Sequence, residues 1–163
     1  MLFLRSIIFT ILVPGVVTVY IPYLIVTRWR PTAFPGWGVL QGLSLMPMAV
    51  GAAILLHCIW MFAWVGRGTL VPFYAPRKLV VQGLYRYVRN PMYVGVLLIL
   101  LGEAALFESR VILEYTVGWF VVVNLVVLLY EEPMLRSQFG ESYKQYCRAV
   151  RRWIPGKPYH PAG

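Results

Sequence analysis

Two short stretches carry side chains able to do chemistry: RYVRNPMYVG at 86–95 and LLYEEP at 128–133. In the first, Asn90 and Pro91 read as a helix start. Proline fits the first helical turn, where its missing N–H is not needed, and the residue before it avoids helical angles and can act as the cap. A helix start presents free backbone N–H groups and a partial positive charge, so it attracts anions. Arg86 and Arg89 strengthen that attraction, and Tyr85 and Tyr93 set aromatic faces and hydroxyls beside it. The same arginines would serve equally to hold lipid phosphate and fix topology. In the second stretch, Glu131 and Glu132 repel each other at a helix C-terminus, an end that disfavours negative charge. Pro133 is expected to break or kink the helix there. The pair calls for a cation, either a bound cationic ligand or an internal salt bridge to Arg89 or Arg136.

The elements that position these residues are apolar. The chain has 163 residues, of which 60% are hydrophobic and 13% charged. A soluble domain carries roughly a quarter charged residues. So short a chain cannot bury that much apolar surface in one water-soluble core, so lipid must cover part of it. Four runs approach the roughly 20 residues that a span needs: Leu2–Thr27, Val39–Val65, Pro91–Phe107 and Val111–Tyr130. The third is the shortest. The first, with Pro14 and Pro22 and no small-residue cleavage site after it, does not read as a signal peptide. The fold class expected is an all-α integral membrane protein, with about four transmembrane helices plus a cytoplasmic amphipathic C-terminal helix.

Charge orients the spans. With both termini inside, only Arg28, Arg30 and Arg110 fall outside, and the other basic residues face the cytoplasm. The positive-inside rule therefore makes the chain a multi-pass protein with residues 66–90 and the tail in the cytoplasm. The formal charge of +9 is mostly one cytoplasmic face, fitted to anionic lipid, and no nucleic-acid module accompanies it. Cys58 and Cys147 are far apart, and His57 and His160 are isolated, so no metal site is expected. Glu103, deeper in the third span, is expected to pair or to reach for the interface.

One domain spans 1–163: a two-helix part at 1–65 and a cofactor-binding part at 66–155. The latter holds a helical hairpin, 91–130, and a lid helix, 133–154. In that tail Leu135, Phe139, Tyr143, Tyr146, Val150 and Trp153 recur at spacings of three and four, the mark of an amphipathic helix lying on the membrane surface. Gly140 is a place for it to bend. The hairpin returns RNPMY and YEEP to the same cytoplasmic end, where the tail can cover them. Such a site suits a ligand with both a carboxylate and positive charge. S-adenosylmethionine, with a carboxylate, an ammonium and a sulfonium, is such a ligand.

Val81-x-Gly83-x-Tyr85, VRNPMYVG at 88–95 and YEEPMLRSQFGESYKQYCRAVRRWIP at 130–155 together resemble the integral-membrane methyltransferases, which include isoprenylcysteine carboxyl methyltransferases and phospholipid N-methyltransferases. The resemblance covers roughly residues 66–155. It implies cofactor contacts at Arg77, Lys78, Leu79 and Val80, through backbone as much as side chain, then at Tyr85, Asn90, Pro91, Met92, Tyr93 and Glu131, with Glu132 beside them. Arg89, at the anion-attracting helix start, joins this set. Asn90 stands where the isoprenylcysteine enzymes have histidine, and Val127 where they have an arginine for the substrate carboxylate. Asn-Pro-Met-Tyr and Tyr-Glu-Glu-Pro resemble the phospholipid enzymes, whereas Phe139-Gly140-x-x-Tyr143-x-x-Tyr146 resembles the carboxyl side. O- and N-methylation both stay open.

The activity implied is methyl transfer from S-adenosylmethionine to the head group, carboxylate or amine, of a lipid or lipid-modified substrate held in the bilayer. An amine acceptor must lose a proton, and Glu132 is a candidate to take it. Asn124, seven residues before Glu131, shares its helical face. It either lines the acceptor site or hydrogen-bonds between helices. The competing readings are a nicotinamide-dependent membrane reductase on a related scaffold and a non-catalytic membrane protein.

Overall fold

The computed structural model describes residues 12–29, 36–65, 79 and 81–160. Among the described residues five helices carry the fold. A π-helical stretch, Val16–Tyr20, runs into α1, Ile21–Trp29. Then come α2, Val39–Val65, a 3-10 turn, Gly83–Arg86, and α3, Pro91–Leu106. Next is α4, Arg110–Val126, which passes through a π-helical turn, Val127–Glu131, into α5, Glu132–Ala149. Among the described residues the only β pairing is one isolated parallel bridge, Val88 to Arg151.

Among the described residues two helices are long and apolar enough to cross a membrane, Val39–Met61 and the continuous run Arg110–Ala149. Only 22% of each apolar window is buried inside the protein, so most of that surface is left for lipid rather than for a core. Two shorter apolar helices, Leu12–Arg28 and Pro91–Leu106, accompany them. At 1.5 Å per residue α3 is roughly 24 Å long, somewhat less than a bilayer core.

α2 and α3 make the closest helix pair, and glycine is the reason. A Cβ on Gly51 would lie 2.5 Å from the Gly95 carbonyl oxygen, and one on Gly95 would lie 2.9 Å from the Gly51 carbonyl oxygen. One on Gly102 would lie 2.9 Å from the Ser44 carbonyl oxygen. In lipid, where apolar faces gain little by leaving the solvent, backbones that touch through small residues supply the packing. α3 and α4 are joined through Phe107–Ser109 as a hairpin, with the Ser109 hydroxyl capping α4 by accepting from the Ile112 N–H at 3.3 Å.

The tail departs from its expected place in two ways. Pro133 does not end the helix. The ladder loosens into the π-helical turn just before it, and the proline sits in the first turn of α5, where its missing N–H does no harm. The break comes instead at Gly140, whose φ of 54° and ψ of −122° leave helical space. Beyond it the apolar face is not left for a membrane surface. Tyr143, Tyr146 and Val150 bury together with Val81, and Leu79, Leu135, Phe139, Cys147 and Tyr159 pack around them. The strap after α5 then runs beside residues 86–89: Arg89 N–H donates to Arg151 C=O, Gly156 N–H to Tyr87 C=O and Tyr159 N–H to Arg86 C=O, each at 2.9 Å.

Candidate functional site

The site gathers where α3 begins and α4 ends. Pro91 opens α3, but Asn90 does not cap it with its side chain. The Asn90 amide instead donates to the Arg152 carbonyl at 3.4 Å. The helix start therefore keeps its positive end uncapped by a side chain while the strap is tied beside it. Tyr85, in the 3-10 turn, accepts through its carbonyl from the Tyr146 hydroxyl at 2.6 Å. Burial pushes its phenol well above the ordinary range, with Cys58 and Tyr146 adding to the rise, so it stays a neutral hydroxyl.

The neighbouring carboxylates have different fates. Glu132 is buried and takes three arginines: Arg152 Nε donates to Oε1 at 2.7 Å, Arg89 Nη1 to Oε1 at 3.0 Å, and Arg136 Nη2 lies 3.6 Å from Oε2. The hydrogen bond to Glu132 raises the Arg152 guanidinium above its already high range. Both Glu132 carboxylate oxygens are thus engaged by arginines. Arg89 also donates to the Cys147 sulfur at 2.9 Å, and its buried Nε has no partner. Glu131 turns the other way. It accepts from the Tyr93 hydroxyl at 2.5 Å, and among the described residues no arginine or lysine pairs with it. A step of about 100° per residue separates neighbours on a helix, so one carboxylate faces the arginines and the other faces α3.

Aromatic rings line the side of Tyr93 away from α2. Its ring centroid lies 6.4 Å from Trp119 and 6.4 Å from Trp153. Phe120 meets Trp153 edge-on at 5.1 Å. The Trp153 indole N–H donates to Asn124 Oδ1 at 3.2 Å. On the opposite side of the α3 start lies an apolar cavity of about 250 Å³, lined by Ile54, Leu84, Tyr87, Val88, Pro91, Val94 and Pro155.

Of the residues expected at a site, the structure brings together Tyr93 with Glu131, Arg89 with Glu132, and Asn90 with the strap. Leu79 belongs to the apolar cluster under the tail, and Met92 is half-buried. Arg77, Lys78 and Val80 lie outside the described residues. Asn124 bonds to the tail rather than to another span. Glu103 is a different case. Expected to pair or to reach for the interface, it is instead buried with Oε2 unpartnered, far along α3 from Glu131. Among the described residues no cluster of His, Cys, Asp and Glu could hold a metal ion. Sequence reasoning missed Arg152, Trp119 and Phe120 as neighbours of the site. Phe120 stands four residues before Asn124 and shares its face, a signal that was there to read. Trp153 was counted only as part of an amphipathic stripe.

A family model described as phospholipid methyltransferase matches residues 37–142. The chain is 38% identical over 80 residues to the protein-S-isoprenylcysteine O-methyltransferase of Schizosaccharomyces pombe, covering 47% of this chain and 33% of that one. It is 24% identical over 143 residues to the phosphatidylethanolamine N-methyltransferase of Paracoccidioides lutzii, covering 80% of this chain and 14% of that one. Against methanethiol S-methyltransferase 2 of Bradyrhizobium diazoefficiens it is 26% identical over 149 residues, covering 81% of this chain and 54% of that one. The chain thus spans about half or less of each of these three relatives. No solved structure matches it.

Proposed function

The chain belongs to the phospholipid methyltransferase family, and from that premise we propose that it transfers a methyl group from S-adenosylmethionine to the head group of a lipophilic acceptor held in a membrane. The observation that carries the reading is the contact of Tyr93 with Glu131 at 2.5 Å, set beside the uncapped start of α3. One end offers positive potential for a carboxylate. The other offers a carboxylate with no basic partner among the described residues for a cation. We further read the chain as one domain with about four spans, both termini and the site facing the cytoplasm, as the distribution of basic residues favours.

S-adenosylmethionine, when bound, supplies a methyl group already activated by a sulfonium. The residues of the chain have simpler tasks. The start of α3, with Arg89 behind it, holds the carboxylate. Glu131, oriented by Tyr93, holds positive charge. Tyr85 closes the near side, and the strap after α5 excludes water. Alignment and desolvation of the two partners are the main requirements of an in-line displacement. Where the acceptor is an amine, Glu131 is better placed than the arginine-bound Glu132 to receive its proton.

Calorimetric titration of the detergent-purified chain with S-adenosylmethionine and S-adenosylhomocysteine tests this. Saturable binding is expected in the wild type, weakened about tenfold in Glu131→Gln and less in Tyr93→Phe, as for loss of a charge-assisted and then a single hydrogen bond. Binding of NADPH in place of both nucleosides would replace methyl transfer with the reductase reading.

A further inference from the structure

Four half-buried rings from three separate parts of the chain meet around Tyr93 and Trp153, and Tyr93 joins them to Glu131: Tyr93 from α3, Trp119 and Phe120 from α4, and Trp153 from the strap. Aromatic residues of a membrane belt point outward to the head groups. These point at one another, and Trp153 is fixed in place by its bond to Asn124. Each ring keeps part of its surface accessible. Ring faces carry negative potential, and the carboxylate at the edge of Tyr93 adds to it. Among the described residues, the neighbouring guanidinium groups of Arg89, Arg136 and Arg152 are committed to Glu132 instead.

We propose that Tyr93, Trp119, Phe120 and Trp153, with Glu131 at their edge, form a site for a small onium group, either the sulfonium of S-adenosylmethionine or the substituted ammonium of an acceptor head group. The inference rests on the methyl-transfer reading and adds the residues that recognise the charge at the reacting centre. A methyl-bearing onium is weakly hydrated, so it loses little on entering and gains from the ring faces. Such a site also releases its product. Once the methyl group has left, the thioether is neutral and the attraction of the rings for it falls. Trp153 matters most here, because it comes from outside the helical hairpin and brings the strap into the site.

The test uses the full chain in detergent as wild type, Trp153→Leu and Trp153→Phe. Each is titrated with S-adenosylmethionine, with S-adenosylhomocysteine, and with tetramethylammonium while S-adenosylhomocysteine is present. If the cofactor supplies the onium, Trp153→Leu weakens S-adenosylmethionine by roughly three- to thirtyfold, leaves S-adenosylhomocysteine unchanged, and Trp153→Phe restores most of the loss. If the acceptor supplies it, tetramethylammonium binds the wild type and the loss appears there instead. A merely structural tryptophan would lower both nucleosides together and leave tetramethylammonium without a site, and that result overturns the proposal. Failure of the wild type to bind either nucleoside would sink the methyl-transfer reading on its own, while the tetramethylammonium titration, repeated without nucleoside, would still decide the ring cluster.

Discussion

The two faces of α3 are built on opposite principles. Towards α2 the side chains have been removed: Gly51, Gly95 and Gly102 let backbone meet backbone. Towards α4 and the strap they have been enlarged and made polar: Tyr93, Trp119, Trp153 and Glu131 meet through rings and hydroxyls. The first face has no room for anything else. The second is held by contacts that can part and re-form around a ligand. A rigid wall and a yielding wall on one short helix is what a site needs if it must fix a cofactor and still exchange it.

The largest effect should follow from breaking the rigid wall. Gly51→Leu drives a side chain into the Gly95 carbonyl and towards the Ile99 backbone N–H, neither of which can swing aside as a side-chain tip would. A loss of about 3 kcal/mol or more is expected, beyond the usual penalty of overpacking because backbone must move. Thermal unfolding in detergent, followed by far-ultraviolet circular dichroism, would read it. A variant that melts with the wild type would mean that the helices do not touch as described.

The next effect separates the two carboxylates on the yielding side. Glu132→Gln leaves Arg89, which is 13% exposed, and Arg152 without their counter-charge. It should destabilise the fold by about 3 kcal/mol, the lower end for breaking a buried pair. Glu131→Gln keeps a hydrogen-bond acceptor for Tyr93 and strands no arginine, so its effect on stability should stay within about 1 kcal/mol. Its loss should appear in cofactor affinity instead. Equal stability losses in the two variants would contradict the division of labour between them.

That division was only half legible in the sequence. The start of α3 could be placed because proline restricts both itself and Asn90, and the helix does begin at Pro91. The meeting of that start with the Glu pair follows from a short connection between two apolar runs. What could not be read was which glutamate goes where. The π-helical turn at Val127–Glu131 shifts the face presented by everything after it, and a 3.6-residue period carries no sign of such a turn. Asn90 looked like a cap because of its type and place. It was instead drawn to the Arg152 carbonyl, a partner 62 residues along the chain. The apolar stripe of the tail is periodic as expected, but periodicity does not distinguish a membrane surface from the packing against Leu79 and Val81.

The smallest effect concerns how the strap is tied to the yielding wall. Asn124→Ala removes the acceptor for the Trp153 indole N–H and leaves the ring contacts of Trp153 with Tyr93 and Phe120 intact. Trp153 is only half-buried, so water can take over part of the lost bond, and the loss should be about 1 kcal/mol or less. Global unfolding in detergent should barely register it. The strap itself should show it. Amide exchange at Arg89, Gly156 and Tyr159, whose N–H groups are engaged in the pairing of residues 86–89 with the strap, should quicken by up to about fivefold, as for an opening made easier by up to about 1 kcal/mol, while amides in the close pair α2 and α3 stay as slow as in the wild type. Faster exchange on both sides of α3 would mean that the two faces are one cooperative unit and that the wall beside Glu131 yields no more readily than the glycine seam behind it.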